Sequence, residues 1–286
     1  MRILLTGKNG QIGSALERAL APLGQVVATD RAGLDLLDLN SIKNRIEKEK
    51  PDVIVNAAAY TAVDRAESER QLAFQANADS MRAIGEAAKA SGALVVHFST
   101  DYVFDGEKLA PYLESDAPTP INVYGESKLA GERILAATGC RHFIFRTSWV
   151  YGPRGRNFLL AILAAARAKP ELRVVDDQRG APTSSGAIAA ATARVLSSPA
   201  FSSKPSGIYH MSAAGETSWH GFAKAILDGA GLRTAVVAIR SEEYPAAARR
   251  PKNSLLDNAK LVATFGIALP DWRQGLREVS SKIDTL

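Results

Sequence analysis

The chain of 286 residues is short of cysteine, of histidine and of long apolar runs, and each shortage closes off a class of protein. Its one cysteine, Cys140, permits no internal disulfide, so the core must hold the fold, as suits a reducing, cytoplasmic setting. The four histidines, His97, His142, His210 and His220, show no metal-ligand spacing. They are read as structural, and no metal site is expected. The longest apolar stretches, Phe158–Ala166 and Ala187–Ala191, fall far short of the roughly 20 residues that a membrane-spanning helix needs. Met1 and Arg2 lead straight into an apolar strand and then glycines, so no secretory signal is expected. Runs of one charge are missing too. The 35 Lys and Arg and 30 Asp and Glu give a net charge of +5, dispersed and contiguous only in pairs such as Arg249-Arg250. Such a balance favours small anionic ligands over nucleic acid.

What remains is an ordinary globular composition, 46% hydrophobic and 23% charged, with enough apolar mass for a sizeable core. Residues 1–150 alternate short apolar runs with longer helical patterns. The strand candidates are Arg2–Thr6, Gln25–Asp30, Val53–Ala57, Ala93–Ser99 and His142–Thr147, apolar enough to be buried on both faces. Between them Ile12, Leu16, Leu20 and Leu23, and then Met81, Ile84 and Ala88, recur at helical spacing. This alternation predicts an α/β fold, a Rossmann-like doubly wound parallel sheet. After Trp149 the pattern loosens around Pro153, Gly155 and Pro182. A helix is expected over Asn157–Ala168, strands over Leu172–Val175 and Gly207–Met211, and a helix behind Thr217-Ser218 with Trp219, Phe222, Ile226 and Leu227 on one face. The expected division is a sheet domain over 1–150 and a smaller C-terminal α/β lobe over 151–286, some of whose segments can return to the sheet. Pro199–Ser206 reads as a surface loop.

Directly after the first strand, Gly7-Lys8-Asn9-Gly10-Gln11-Ile12-Gly13 opens a helix. A positive φ in the tight turn, close backbone approach to a pyrophosphate and close helix-to-strand packing each disfavour a Cβ, and the helix N-terminus offers free N–H groups to the anion. The spacing is G-x-x-G-x-x-G rather than G-x-G-x-x-G, and glycines after a strand also make ordinary turns, so the strand-to-helix context carries the reading. Asp30 closes the second strand, where a carboxylate accepts from ribose hydroxyls and favours NADH. Arg31 follows it, and a guanidinium there suits the 2′-phosphate of NADPH, which leaves both cofactors open. Asp38-Leu39 is placed either at the border of the adenine or in a solvated loop.

Tyr124 and Lys128 stand i, i+4 on a helical stretch, hence on one face. A phenol with a reference pKa near 10 is a poor proton donor at neutral pH, and an adjacent ammonium is expected to lower that value. The fourth strand ends in Phe98-Ser99-Thr100-Asp101-Tyr102, which puts the Thr100 hydroxyl at the carboxyl edge of a parallel sheet, where ligands bind. Alone, a strand-end threonine satisfies backbone and a Tyr-x-x-x-Lys is incidental. Together with the glycine turn, the three groups can converge on one reacting carbonyl.

These residues resemble the extended short-chain dehydrogenase/reductase superfamily. More closely, Val55–Asp64 (VNAAAYTAVD), Ser99–Gly106 (STDYVFDG), Asn122–Glu132 (NVYGESKLAGE), Arg146–Tyr151 (RTSWVY), Asp177–Thr183 (DQRGAPT) and Arg249–Ser254 (RRPKNS) resemble the dTDP-4-dehydrorhamnose reductase family over the whole chain. The resemblance implies NADPH- or NADH-dependent reduction of the C4 ketone of dTDP-4-dehydro-β-L-rhamnose, with residues 1–150 as the NAD(P)-binding domain and 151–286 mainly as the substrate-binding lobe. It implies that Tyr124 protonates the alkoxide, Lys128 tunes it and holds the ribose, and Thr100 orients the carbonyl. It places Thr100, Asp101, Tyr102 and Trp149 at the sugar. Along the cofactor it places Gly7, Gly10, Gln11, Ile12, Gly13, Asp30, Asp38, Leu39, Ala57, Ala58, Ala59, Tyr60, Thr61, Tyr124 and Lys128, with Asn77 supporting the neighbouring sheet edge.

Where some members of that family form dimers through magnesium-binding glutamates, this sequence carries Ala15 and Gly186. A monomer, or a weak homodimer without a magnesium bridge, is expected. Nucleotide-sugar 4,6-dehydratases share the turn and the Tyr/Lys pair but use a Thr-Asp-Glu signature, and here Tyr102 stands in the third place. The remaining alternatives are another nucleotide-sugar reductase or epimerase, and a non-catalytic subunit similar to the regulatory subunit of methionine adenosyltransferase.

Overall fold

The computed structural model describes residues 1–198 and 201–283. Five parallel strands form in the first half, β1 (Arg2–Thr6), β2 (Gln25–Thr29), β3 (Val53–Asn56), β4 (Leu94–Thr100) and β5 (His142–Thr147). Helices α1 (Gln11–Leu20), α2 (Leu39–Glu49), α3 (Val63–Ala66), α4 (Arg70–Phe74), α5 (Ser80–Ser91) and α6 (Val123–Ala137) connect them. The second half adds β6 (Val150–Tyr151), α7 (Phe158–Ala168), β7 (Glu171–Val175), β8 (Arg179–Gly180), β9 (Thr183–Ser184), α8 (Ser185–Ser197), β10 (Gly207–His210), β11 (Thr217–Ser218), α9 (Trp219–Gly229), β12 (Ala235–Ile239), α10 (Ala259–Phe265) and α11 (Trp272–Ile283). The main sheet has six strands in the order β10-β5-β4-β3-β1-β2. Strand ends differ from the sequence reading by one residue or so, and Asp30 lies just beyond β2. Of the expected surface loop, Pro199 and Ala200 lie outside the described residues, and Phe201–Ser203 make a short 3-10 turn.

Because successive strand residues point to opposite faces, the apolar runs fill two cores at once. Ile3, Leu5, Val55, Val96, Phe143 and Phe145 pack on one side with Leu16 and Leu20 of α1 and Ile188 and Val195 of α8. Leu4, Ile54, Val95 and Ile144 pack on the other with Ile42 and Ile46 of α2, Met81 and Ile84 of α5 and Leu135 of α6. β10 pairs with β5 in parallel, Tyr209 opposite Phe145, so a segment from the second half completes the sheet. A separate core, with Tyr151, Leu159, Phe222, Trp272 and Leu276, joins α7, α9 and α11.

Caps fix where the helices beside the cleft begin. Asn122 accepts from Gly125 N at 2.8 Å and starts α6, while its Nδ2 donates to Arg249 O at 2.7 Å and ties that helix to the C-terminal segment. Deeper in α6, Glu132 receives Arg146 of β5 in a two-pronged pair at 2.9 and 2.6 Å, with both side chains 2% exposed. Among the described residues no helix is long and apolar enough to cross a membrane.

Candidate active site

The carboxyl ends of the central strands open onto a cleft of about 730 Å³. Its floor begins at the glycine turn. Gly7 takes φ +72°, and a Cβ there would lie 2.7 Å from Ala58 N, so both conformation and close approach demand glycine. A Cβ on Gly13 would lie 2.0 Å from Gly7 O. Gly13 therefore sets the packing of α1 onto the turn and is absent from the cleft wall, where Gly7, Gly10, Gln11 and Ile12 stand. Gly10 is extended at φ −76°, so the positive φ belongs to Gly7 among these three glycines. No side chain caps α1, which leaves its first-turn N–H groups for an anion, and Gln11 Oε1 is buried without a hydrogen-bond partner. A bare backbone cradle with an unsatisfied buried acceptor fits a bound dinucleotide.

Asp30 lines the same cleft and accepts from Gly33 N at 3.2 Å and Asn9 Nδ2 at 3.4 Å, with Lys8 Nζ at 3.8 Å. The Gly33 amide first, then Lys8 and Asn9, hold its carboxyl below the ordinary value. Arg31 is also in the wall, paired with Asp35 at 3.1 Å. Asp38 and Leu39 do not reach it. Asp38 accepts from Asn40 N and Ser41 N at 3.1 and 3.0 Å and so caps α2, whose first residue is Leu39. Leu34, Leu36 and Leu37 occupy the wall in their place. Ala57, Ala58, Ala59, Tyr60 and Thr61 run along it. A π turn over Gln75–Asp79 brings in Asn77, which accepts from Tyr60 N at 2.8 Å and donates to Tyr60 O at 3.0 Å and to Ser127 Oγ at 2.9 Å. Asn77 thus pins the segment that follows β3 to the helix that carries Tyr124 and Lys128.

Thr100, Tyr124 and Lys128 meet in this cleft. A Cβ on Gly125 would lie 2.1 Å from Tyr102 O, so the first turn of α6 sits directly on the end of β4, and Tyr124 reaches hydrogen-bonding contact with Thr100. Thr100 Oγ1 donates to Asp101 Oδ1 at 3.0 Å and accepts from Tyr102 N at 3.2 Å, satisfying backbone as a strand-end threonine does. The Tyr102 ring stands edge-on to Tyr124, with centroids 5.6 Å apart. Lys128, 2% exposed, donates from Nζ to Phe98 O at 2.7 Å and lies 3.1 Å from His97 Nε2. Burial pulls its pKa down to about 8, against the raising influence of Glu132.

The phenol departs from expectation. Enclosure raises the Tyr124 pKa above its ordinary value, and the Asp101 carboxylate pushes the same way, with the Thr100 hydrogen bond opposing. Lys128 is not among the groups that shift it, and its Nζ is engaged by Phe98 O and His97. Tyr124 is thus held as a neutral phenol. Burial likewise raises Asp101 to about 6, against hydrogen bonds from Ser254 and Thr100.

Trp149 lies in the cleft wall at φ +48°, stacked on Trp219 at 3.6 Å and 8°. A Cβ on Gly180 would meet its ring at 2.4 Å, so the DQRGAPT segment makes room for the indole. Sequence reading placed Trp219 on an apolar helix face and missed it as a cleft residue. Ser218, which caps α9 just before it, was the available signal for the helix start but not for the stacking. Among the described residues no group of three or more His, Cys, Asp or Glu could hold a metal ion.

A glycine turn at the first strand-to-helix junction, and a Thr/Tyr/Lys group at the carboxyl edge of a doubly wound sheet, define an oxidoreductase of the extended short-chain dehydrogenase/reductase class. A family model described as the RmlD substrate binding domain matches residues 1–285. The dTDP-4-dehydrorhamnose reductase of Burkholderia thailandensis is 48% identical over 96% of each chain, and that of Escherichia coli K12 is 44% identical over 100% of this chain and 99% of the relative. The crystal structure of dTDP-4-dehydrorhamnose reductase from Bacillus anthracis in complex with NADP is similar at a TM-score of 0.93 and 35% identity, covering 98% of this chain and 99% of that one. The chain belongs to the dTDP-4-dehydrorhamnose reductase family.

Proposed function

We propose that the protein reduces the C4 ketone of dTDP-4-dehydro-β-L-rhamnose to dTDP-L-rhamnose with NADPH or NADH. The observation that carries this reading is the convergence of Thr100, Tyr124 and Lys128 in one cleft with the glycine turn. A reduced nicotinamide held in this cleft would supply the hydride for C4. Tyr124, neutral at working pH, gives its hydroxyl proton to the alkoxide oxygen as charge develops there. Lys128, charged below about pH 8, donates to the cofactor ribose beside Tyr124. Thr100 orients the carbonyl.

Asp101, Tyr102 and Trp149 take the sugar, the first two by polar contact and the indole by covering an apolar ring face. Gly7, Gly10, Gln11 and Ile12 hold the pyrophosphate, and Asp30 with Ala57–Thr61 follows the rest of the dinucleotide. The small-molecule partner is the nucleotide sugar. Ala15 and Gly186 offer no carboxylate, which supports an assembly without a magnesium bridge.

The test is product identity. Incubation with dTDP-4-dehydro-L-rhamnose and either reduced nicotinamide is expected to yield dTDP-L-rhamnose by mass and proton NMR. Tight cofactor binding with no such product overturns the assignment.

A further inference from the structure

The apolar register row Leu4, Ile54 and Val95 is followed two residues on, on the same face, by Thr6, Asn56 and His97. These three side chains sit opposite one another on adjacent parallel strands, each 1% exposed. They form a continuous hydrogen-bonded row across the sheet. Thr6 Oγ1 donates to Asn56 Oδ1 at 2.5 Å, Asn56 Nδ2 lies 3.1 Å from His97 Nδ1, and His97 Nε2 lies 3.1 Å from Lys128 Nζ. A buried polar row in an otherwise apolar face is costly unless every group is satisfied, and this one is satisfied only because it ends on the lysine.

We propose that His97 is a positioning residue, which with Asn56 and Thr6 holds Lys128 in the cleft through a hydrogen-bond row whose direction follows the protonation state of that lysine. The proposal takes from the reductase reading only the role of Lys128.

Donor and acceptor counting fixes the two directions. A neutral imidazole carries one N–H, and an ammonium has donors but no acceptor. When Lys128 is a free amine, its lone pair accepts from His97 Nε2–H. Nδ1 then accepts from Asn56 Nδ2, and Asn56 Oδ1 accepts from Thr6, the orientation that the Thr6–Asn56 contact takes. When Lys128 is an ammonium, Nε2 must accept, so the ring hydrogen sits on Nδ1, the Asn56 amide turns over to offer its oxygen, and Thr6 Oγ1 accepts. The imidazole stays neutral in both. Burial and the Lys128 charge hold its pKa well below the ordinary histidine value. The other titratable groups around the pair are Tyr124 and Glu132 of α6, Asp101 and Tyr102 beyond β4, and His142 and Arg146 of β5. Of these Glu132 raises Lys128, His142 lowers His97, and Arg146 is paired with Glu132. From the π turn and α5 the neighbouring groups are the neutral Asn77 and Met81.

The experiment is nitrogen NMR on the full chain with labelled histidine, using His97→Gln to identify the His97 signals, over pH ~6 to ~10. The expected result is a ring that remains neutral while its hydrogen moves from Nδ1 to Nε2 as pH rises through the Lys128 midpoint. A hydrogen that stays on one nitrogen throughout, or a ring that gains a second proton, overturns the proposal. Kinetics add a second readout. His97→Phe keeps the ring but offers no partner, and is expected to lower kcat roughly 10- to 100-fold and to move the alkaline limb of the kcat/KM profile. His97→Gln, whose amide both donates and accepts, is expected to retain kcat within a few fold. Equal losses in both variants with an unmoved limb mark His97 as packing only. Failure of the wild type to reduce the sugar would sink the reductase reading while leaving the NMR result to decide this one.

Discussion

Thr100 Oγ1 gives its one hydrogen to Asp101 Oδ1 across 3.0 Å, so the hydroxyl proposed to orient the substrate carbonyl is tied to a neighbouring carboxylate until that carboxylate is protonated. Asp101 takes up its proton near pH 6 because it is buried. Below that pH it becomes a donor to Thr100, which frees the threonine hydrogen for the ketone. Loss of the Asp101 charge also lowers the barrier to proton release from Tyr124, since that charge pushes the phenol upward. The pH profile of kcat/KM is therefore expected to rise as pH falls through about 6. Asp101→Asn, whose amide donates to Thr100 at every pH, should remove that step. An unchanged step in the variant would show that another group produces it.

Lys128 separates activity from stability. Its folded pKa is depressed from 10.5 to about 8, so the folded state disfavours the ammonium relative to the unfolded chain. Stability on this account grows as pH rises between about 8 and 10.5, and at pH 7 the whole cost of the buried charge is present, on the order of 3 kcal/mol. Lys128→Met should abolish turnover yet melt at or above the wild-type temperature at pH 7, with the advantage shrinking as pH rises from about 8 to 10.5. A variant that melts well below wild type at pH 7 would contradict the burial argument.

The glycine turn tolerates no methyl group at Gly13, where a Cβ would sit 2.0 Å from Gly7 O, while a Cβ on Gly186 would meet nothing within 4 Å. Gly13→Ala is expected to weaken cofactor binding at least tenfold and to lower stability by roughly 1–3 kcal/mol through overpacking. Gly186→Ala should leave binding unchanged and add up to about 1 kcal/mol by helix propensity. Fluorescence titration with NADPH and thermal melts of the two variants check both. Equal behaviour would remove the close-packing account of the turn.

Legibility in the sequence followed distance along the chain. The first five strands, the glycine turn and the Tyr124/Lys128 pair are written in local spacing, and each forms where that spacing indicates. The domain that receives a strand is not local information. Gly207–His210 is a short run far along the chain from β5, and its parallel pairing with that strand is a long-range contact that local spacing does not encode. The same limit hid Trp219, which meets Trp149 only when α9 folds over the cleft, and hid the company of His97. That histidine read as structural because no second ligand stood at metal spacing, and its neighbours Asn56 and Lys128 are supplied by strand register and a crossover helix. Asp38 was ambiguous in the sequence, and the structure uses its carboxylate to cap a helix.

The most direct test of the central claim is the rate of reduced-nicotinamide oxidation, for NADPH and for NADH, with dTDP-4-dehydro-L-rhamnose, in wild type and in Tyr124→Phe. The proton from Tyr124 is worth about 10²- to 10⁴-fold as general acid catalysis. The account predicts turnover in the wild type, a loss of that size in the variant, and unchanged cofactor binding in both. A variant that oxidises cofactor as fast as wild type would contradict it.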